Sequence, residues 1–315
     1  MYKAAERIPL VLAFTPDYFI PAAVCLLSVF RHARPDDCFD VICLLTEPMP
    51  ENMRHQLHRL GCQRTRYLFI DLQHELQDVE VDDKYTVASC YRLLLPRLLP
   101  DYDKVMYIDC DVVVRNNLAD LFRKTELGDN YLAGVFEATL DFQIARTEAA
   151  GCEPGRYINS GFLIMNLRKL REDGKVDQFL TALRAGYLEF PDQDVLNQVC
   201  KGRIMGLTPV YNAIRTFFLP LYKPAFLKIY DEADWQAVQR HGTVHYTGGK
   251  PWNMFTVKFD LWWNYYEQLP AEIKKFGEVD KKVYRLFQVY RNATGRLLIH
   301  GAQYCYRKLK YGGAV

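Results

Sequence analysis

Several marks of a specialised protein are missing from this 315-residue chain. No run of about 20 apolar residues occurs, so no segment reads as a membrane-crossing helix. The apolar region from Ile8 to Phe30 is interrupted by Pro9, Pro16, Asp17 and Pro21, which also argues against an export signal. The nine cysteines are odd in number and include no C-x-x-C pair, so neither a zinc site nor a disulfide framework is indicated. Reduced core thiols in a cytoplasmic protein are the expectation. Net charge is scarce: 40 Lys and Arg against 38 Asp and Glu leave +2, and no case for nucleic-acid binding arises. Internal repeats and low-complexity tracts are absent as well.

What charge there is lies unevenly. Residues 271–315 hold ten Lys or Arg against three Asp or Glu, a net +7, which leaves −5 for residues 1–270. Two parts are therefore expected, a body of residues 1–270 and a basic, aromatic-rich extension of residues 271–315. In the extension Val283, Leu286, Phe287 and Tyr290 recur at helical spacing, with Leu297, Leu298 and Ile299 as a second apolar patch and Tyr304 and Tyr306 beyond it. Such a segment suits an anionic membrane surface, and a helix packed on the body with a solvated basic face is the alternative.

The body alternates apolar runs with helical patterns. "IPLVLAF" (8–14), "FDVICLL" (39–45), "RYLFID" (66–71), "KVMYID" (104–109), "YLAGVF" (131–136) and "GFLIMNL" (161–167) read as strands. Helices are expected over 21–32, 51–60, 88–99, 177–187 and 193–200. The pattern predicts an α/β fold with a mostly parallel sheet flanked by helices, and ligands then gather at the carboxyl ends of strands.

Two such ends are polar, Thr15–Tyr18 and Asp109–Asp111. In extended chain, residues i and i+2 share a face, so Asp109 and Asp111 aim at one place. Adjacent carboxylates repel unless something positive lies between them, either a divalent metal or an Arg or Lys partner. The same D-x-D spacing recurs at Asp101/Asp103 and Asp192/Asp194, where solvated turns or helix caps explain it. Asp192 in particular is placed to act as a helix N-cap, an explanation that Gln193 lacks. In "HYTGGKPWN" (245–253), Gly248 and Gly249 permit close backbone approach and Lys250 suits a phosphate, against the plainer reading of a Gly-Gly turn. Two carboxylates and the His245 imidazole would suit Mn²⁺, with Mg²⁺ as the weaker match.

The series "YRLLLPRLLP", "KVMYIDCDVVV", "YINSGFLIMNL", "DQDVLN" and "HYTGGKPWN", behind an N-terminal strand ending in a polar loop, resembles the family-8 glycosyltransferases over roughly residues 8–255. That family includes glycogenin and bacterial lipopolysaccharide glucosyl- and galactosyltransferases. The resemblance implies a GT-A fold, Rossmann-like, and retaining transfer of a hexose, glucose or galactose, from a UDP-sugar to a glycan or glycolipid acceptor. Carried over by motif, Asp109, Asp111 and His245 would bind the metal, and Ala13, Thr15 and Tyr18 would line the uridine pocket. Gly248 and Lys250 would meet the diphosphate, Arg92 would hold Asp109 or the donor sugar, and Asn159, Asp192 and Gln193 would face that sugar. Two departures stand out. Many members carry an acidic residue where Thr15 stands, and the Gly248–Lys250 stretch is one residue shorter than in glycogenin. A sugar-nucleotide nucleotidyltransferase is the rival enzyme, but it calls for a Gly-rich basic loop after the first strand, which "AFTPDYF" lacks. A non-catalytic sugar-nucleotide or membrane-surface binding protein is the rival outside enzymes. The expected location is cytoplasmic, peripheral on the inner face of the cell membrane.

Overall fold

The computed structural model describes residues 6–61, 65–79, 86–185 and 188–301. Among them the strands are β1 Arg7–Phe14, β2 Cys38–Leu45, β3 Arg66–Asp71, β4 Lys104–Ile108, β5 Val112–Val113, β6 Leu132–Phe136, β7 Ile158–Asn166, β8 Ile204–Gly206, β9 Ala213–Ile214 and β10 Val244–His245. Seven of these form the main sheet, in the order β3-β2-β1-β4-β7-β6-β8. The sheet is mostly parallel as expected, with β7 running antiparallel between β4 and β6.

The apolar character of β1 follows from its place in the middle of this sheet. Leu10 and Leu12 pack on one face against the helix Phe19–His32, while Val11 packs on the other face with Leu93 and Leu95. A strand covered on both faces has no side to give to water, so its sequence is apolar throughout rather than alternating. From β1 the chain builds outward through β2 and β3, then returns to lay β4 on the opposite flank of β1. The connections leaving β1 and β4 therefore diverge, and a crevice opens at their carboxyl ends.

One expected helix takes another form. Residues 88–99 were expected as a single α-helix, but Val87–Leu94 is a 3₁₀ helix and only Leu95–Leu98 is α-helical. Pro96 has no N–H to give the Arg92 carbonyl, and the Leu95 N–H takes that carbonyl instead, closing the tighter turn. The tighter winding carries Arg92 into the crevice.

A second, three-stranded sheet, β5-β10-β9, stands beside the main one. In it β10 pairs antiparallel with β5, His245 opposite Val112, and parallel with β9. The pairing brings residue 245 against the turn that holds Asp109 and Asp111.

The C-terminal helix Lys281–Tyr290 uses its apolar face within the molecule. Val283 and Phe287 are buried, and Phe287 stacks on Trp263 at 6.0 Å. Asp280 caps this helix, accepting from the Lys282 and Val283 N–H groups. Leu297 and Leu298 stay 75% and 67% exposed. Tyr304, Tyr306, Arg307, Lys308 and Lys310 lie outside the described residues. No helix among the described residues is long and apolar enough to cross a membrane. The seven described cysteines are all buried and unbridged.

Candidate active site

The residues to which the resemblance gives site roles all line one cleft of about 590 Å³ at the carboxyl ends of β1 and β4. Ala13, Thr15 and Tyr18 come from the end of β1 and the 3₁₀ turn after it, and Asp109 and Asp111 from the turn after β4. His245, Gly248 and Lys250 come from β10 and the loop after it, Arg92 from the 3₁₀ helix Val87–Leu94, Asn159 from β7, and Asp192 and Gln193 from the helix Pro191–Val199.

The Asp109 and Asp111 carboxylates and the His245 imidazole place one ligand atom each within 4.8 Å of the others. His245 Nε2 lies 3.4 Å from Asp111 Oδ1 and 3.8 Å from Asp109 Oδ2. Two hard oxygens and one imidazole nitrogen, converging on one point, make a donor set that suits a divalent ion. Gly161 keeps this space open. A Cβ there would stand 2.2 Å from His245 Cε1 and 2.8 Å from Asp109 Oδ2, so any larger residue would push these side chains aside.

Each carboxylate also has a cationic side-chain partner, the second of the two alternatives raised by the spacing. Lys250 Nζ bonds to Asp111 Oδ2 and donates to the Tyr246 carbonyl at 3.0 Å. Burial would raise the Asp111 pKa, but Lys250 and His245 beside it hold the group well below the usual carboxylate range. Burial likewise works against the Lys250 ammonium, and Asp111 more than offsets it, so Lys250 stays protonated. Asp109 accepts from Arg92 Nη2 at 2.7 Å and from the Tyr107 hydroxyl at 3.0 Å. The guanidinium of Arg92, 2% exposed, lies over the Tyr107 ring at 4.1 Å.

Asp192 is not the helix cap that its position allowed. The helix Pro191–Val199 is entered from Phe190, and the Phe190 N–H is taken by Asp194 Oδ2 at 3.0 Å. Asp192 turns inward instead, with Oδ2 3.2 Å from Arg92 Nε. The Nε hydrogen itself goes to the Ser89 carbonyl, so Asp192 and Arg92 are paired by charge without a hydrogen bond. Burial raises the Asp192 pKa, and Arg92 only partly offsets it.

Beside the carboxylates, where β7 runs next to β4, stands a wall of amides. Gln193 Oε1 accepts from the Ser160 N–H at 3.0 Å, and Asn159 Oδ1 from the Gly161 N–H at 3.0 Å. Their NH₂ groups both donate to Glu137 Oε1, at 2.9 Å from Asn159 and 3.2 Å from Gln193. Toward β1, Tyr18 meets Trp252 edge-on at 5.7 Å. Gly248 has φ +84°, a left-handed conformation that glycine takes without strain.

Three contributors were missed in the sequence. Glu137 directly follows the apolar strand β6, the same signal that marked Asp109. Asn212 interrupts the apolar run before β9 and is fully buried. Gly161 carries no local sign of its crowding, because His245 reaches it from 84 residues away in the chain.

Comparison with known proteins agrees with this architecture. The profile of glycosyl transferase family 8 matches residues 9–256. A putative glycosyltransferase of Haemophilus influenzae is 27% identical over 133 residues, covering 41% of this chain and 40% of that protein. The lipopolysaccharide 1,2-glucosyltransferase of Escherichia coli K12 is 25% identical over 253 residues, covering 74% of this chain and 71% of its own. Among solved structures, the galactosyltransferase LgtC in complex with donor and acceptor sugar analogs superposes with a TM-score of 0.69 at 23% identity. It covers 85% of this chain and 100% of its own length, and shares the GT-A sheet and its flanking helices. With the family profile spanning the main sheet and the cleft at its edge, the chain belongs to glycosyl transferase family 8.

Proposed function

We propose that this glycosyltransferase moves a hexose from a UDP-sugar to a hydroxyl of a glycan or glycolipid, with retention at the anomeric carbon. The metal is a divalent ion, Mn²⁺ ahead of Mg²⁺, held by Asp109, Asp111 and His245. The observation that carries the reading is the convergence of those three ligand atoms within 4.8 Å, beside a lysine, in a cleft of about 590 Å³. The names of the relatives, a 1,2-glucosyltransferase and a galactosyltransferase, favour glucose or galactose as the hexose.

When bound, the ion supplies positive charge to the diphosphate as the sugar–phosphate bond breaks. Lys250 adds a fixed ammonium there, and preorganised charge where charge develops is usually the largest catalytic contribution. Ala13, Thr15 and Tyr18 receive the uridine, and Gly248 lets backbone approach the diphosphate. Arg92 anchors Asp109 and, with Asp192, Asn159 and Gln193, faces the donor sugar. Gln193 already spends its carbonyl oxygen on the Ser160 N–H, which favours a stabilising role over attack on the sugar. The leaving phosphate can take the acceptor proton, so the reaction asks for no strong side-chain base. A nucleotidyltransferase would want a basic glycine-rich loop after β1, where this chain has the turn Pro16–Tyr18.

A panel of UDP-sugars with and without Mn²⁺, scored for UDP release and for the product's anomeric configuration, tests the reading. Metal-dependent release from one UDP-hexose with a retained anomer supports it. UDP binding with no turnover on any sugar would point to the non-catalytic alternative.

The proposal also divides the chain into a catalytic body, residues 1–270, and an extension, residues 271–315, that docks on the anionic inner face of the cell membrane. Val283 and Phe287 are spent on the body, so docking falls to exposed Lys281, Lys282, Arg285, Arg291 and Arg296 with Leu297 and Leu298. Each basic residue near an anionic leaflet contributes about 1 kcal/mol. Replacing Leu297 and Leu298 by Asp should abolish pelleting with anionic vesicles at low salt and leave UDP release unchanged. Wild-type protein that ignores such vesicles would overturn the docking.

A further inference from the structure

His245 has two ring nitrogens, and only an unprotonated one can bind a metal. Which nitrogen carries the proton is decided by hydrogen bonds, and amide side chains leave it ambiguous because their oxygen and nitrogen look alike. Here the ambiguity is removed from the backbone upward. A backbone N–H can only donate, so the atom of Asn159 that meets the Gly161 N–H at 3.0 Å is its oxygen. The same Asn159 oxygen lies 2.9 Å from Asn212, whose facing atom must then be its NH₂. That leaves Asn212 Oδ1, an acceptor only, 3.0 Å from His245 Nδ1. Nδ1 must therefore carry the proton. In the neutral ring, the form that binds a metal, the lone pair is then on Nε2, and it is Nε2 that faces Asp109 and Asp111.

A second backbone group holds the same chain of amides from its other end. The Ser160 N–H fixes Gln193 Oε1 as an acceptor, so the Gln193 NH₂ donates to Glu137 together with that of Asn159. Asn212, Asn159 and Gln193 are all buried, and Asn212 is fully enclosed. Reversing any one amide would leave two donors or two acceptors face to face, at the cost of an unsatisfied buried pair.

We infer that Asn212 is a positioning residue: it holds His245 in the Nδ1–H tautomer whose Nε2 can take a metal, and it ties that imidazole to the amides of Asn159 and Gln193. The tautomer itself is independent of the proposed function, while its consequence for metal affinity rests on that reading. Asn212 touches none of the reacting groups in this scheme. Partners of this kind, behind a histidine ligand, typically change metal affinity by about 10–100-fold.

Two variants separate the tautomer from mere packing. Asn212→Asp keeps an acceptor against Nδ1 but loses the donor toward Asn159. Asn212→Leu loses both. In metal-free protein labelled with ¹⁵N-histidine, at a pH high enough that the His245 ring is neutral and with His245 assigned by its absence in His245→Gln, wild type and Asn212→Asp should show the Nδ1–H form. Asn212→Leu should lose that preference. With UDP present, Mn²⁺ affinity should fall about 10–100-fold in Asn212→Leu and stay within a few-fold of wild type in Asn212→Asp. An Nε2–H form in the wild type, or an unchanged tautomer in folded Asn212→Leu, overturns the inference. So does an Asn212→Asp protein whose tautomer preference falls as far as that of the leucine variant. Wild type with the Nδ1–H tautomer but no Mn²⁺ binding would instead overturn the metal reading and leave the tautomer assignment standing.

Discussion

On one wall of the cleft, Asp109, Asp111, His245 and Lys250 hold one another chiefly through charge. On the other, Asn159 and Gln193 are neutral and are held by the backbone N–H groups of Gly161 and Ser160. The first wall can exchange partners, since the Lys250 ammonium on Asp111 occupies a position that another cation could contest. The second cannot, because each amide oxygen there is already committed to a backbone donor, and releasing it would strand a buried group at about 1–3 kcal/mol. A site that must admit a highly charged donor and still keep its shape benefits from both. The exchangeable groups supply affinity for charge, and the committed ones supply fixed geometry for the sugar.

The largest effect that would break this contrast is on the charged wall. Asp111→Asn should keep the fold and reduce metal-dependent UDP release by about 10³-fold, measured under saturating donor. It removes the carboxylate charge that both Lys250 and the proposed metal use. Full activity in that variant would mean that the metal site lies elsewhere. Next comes Lys250→Ala, expected to lower turnover by about 10²-fold through loss of one fixed charge at the leaving group. Normal turnover would reduce the Gly248–Lys250 segment to a turn.

The amide wall should respond through geometry rather than charge. Gly161→Ala drives a methyl group into His245 and Asp109 and should destabilise the protein by about 1–3 kcal/mol, read from denaturant midpoints. Weaker Mn²⁺ retention should accompany the loss, because the intruding carbon displaces two proposed ligands at once. An alanine variant with wild-type stability would show that the wall is softer than its hydrogen bonds suggest. The smallest effect sharpens the comparison from outside the cleft. Asp103 carries the same D-x-D spacing but sits exposed against Arg168 and Arg171. Asp103→Asn should leave UDP release within about twofold of wild type and cost under about 1 kcal/mol, as exposed ion pairs do.

The charged wall was legible in the sequence because its residues violate local expectation. Acids at the end of an apolar strand, and a lysine after two glycines, are costly without a purpose, so Asp109, Asp111 and Lys250 announced themselves. Glu137 carried the same signal after β6 and was not singled out. Asp192 was ambiguous because an acid near a helix start has a structural use. Only the fold showed that Asp194 serves the Phe190 N–H while Asp192 turns toward Arg92. The apolar repeat of the last helix showed a face without saying what would cover it, and Trp263 and Phe259 do so.

By itself, then, the sequence determined six strands of the main sheet, the burial of its central ones on both faces and the carboxylates at the end of β4. Each of these is a local preference of apolar or charged groups, expressed within a few residues. Tertiary structure alone decided which groups meet: His245 reaches Asp111 through the pairing of β10 with β5, and Asn212 reaches Asn159 across 53 residues of chain. Hydrogen-bond direction, tautomer and the room beneath Gly161 depend on contacts between distant segments. No local pattern encodes such contacts, because the free energy that selects them appears only once the two sheets have packed together.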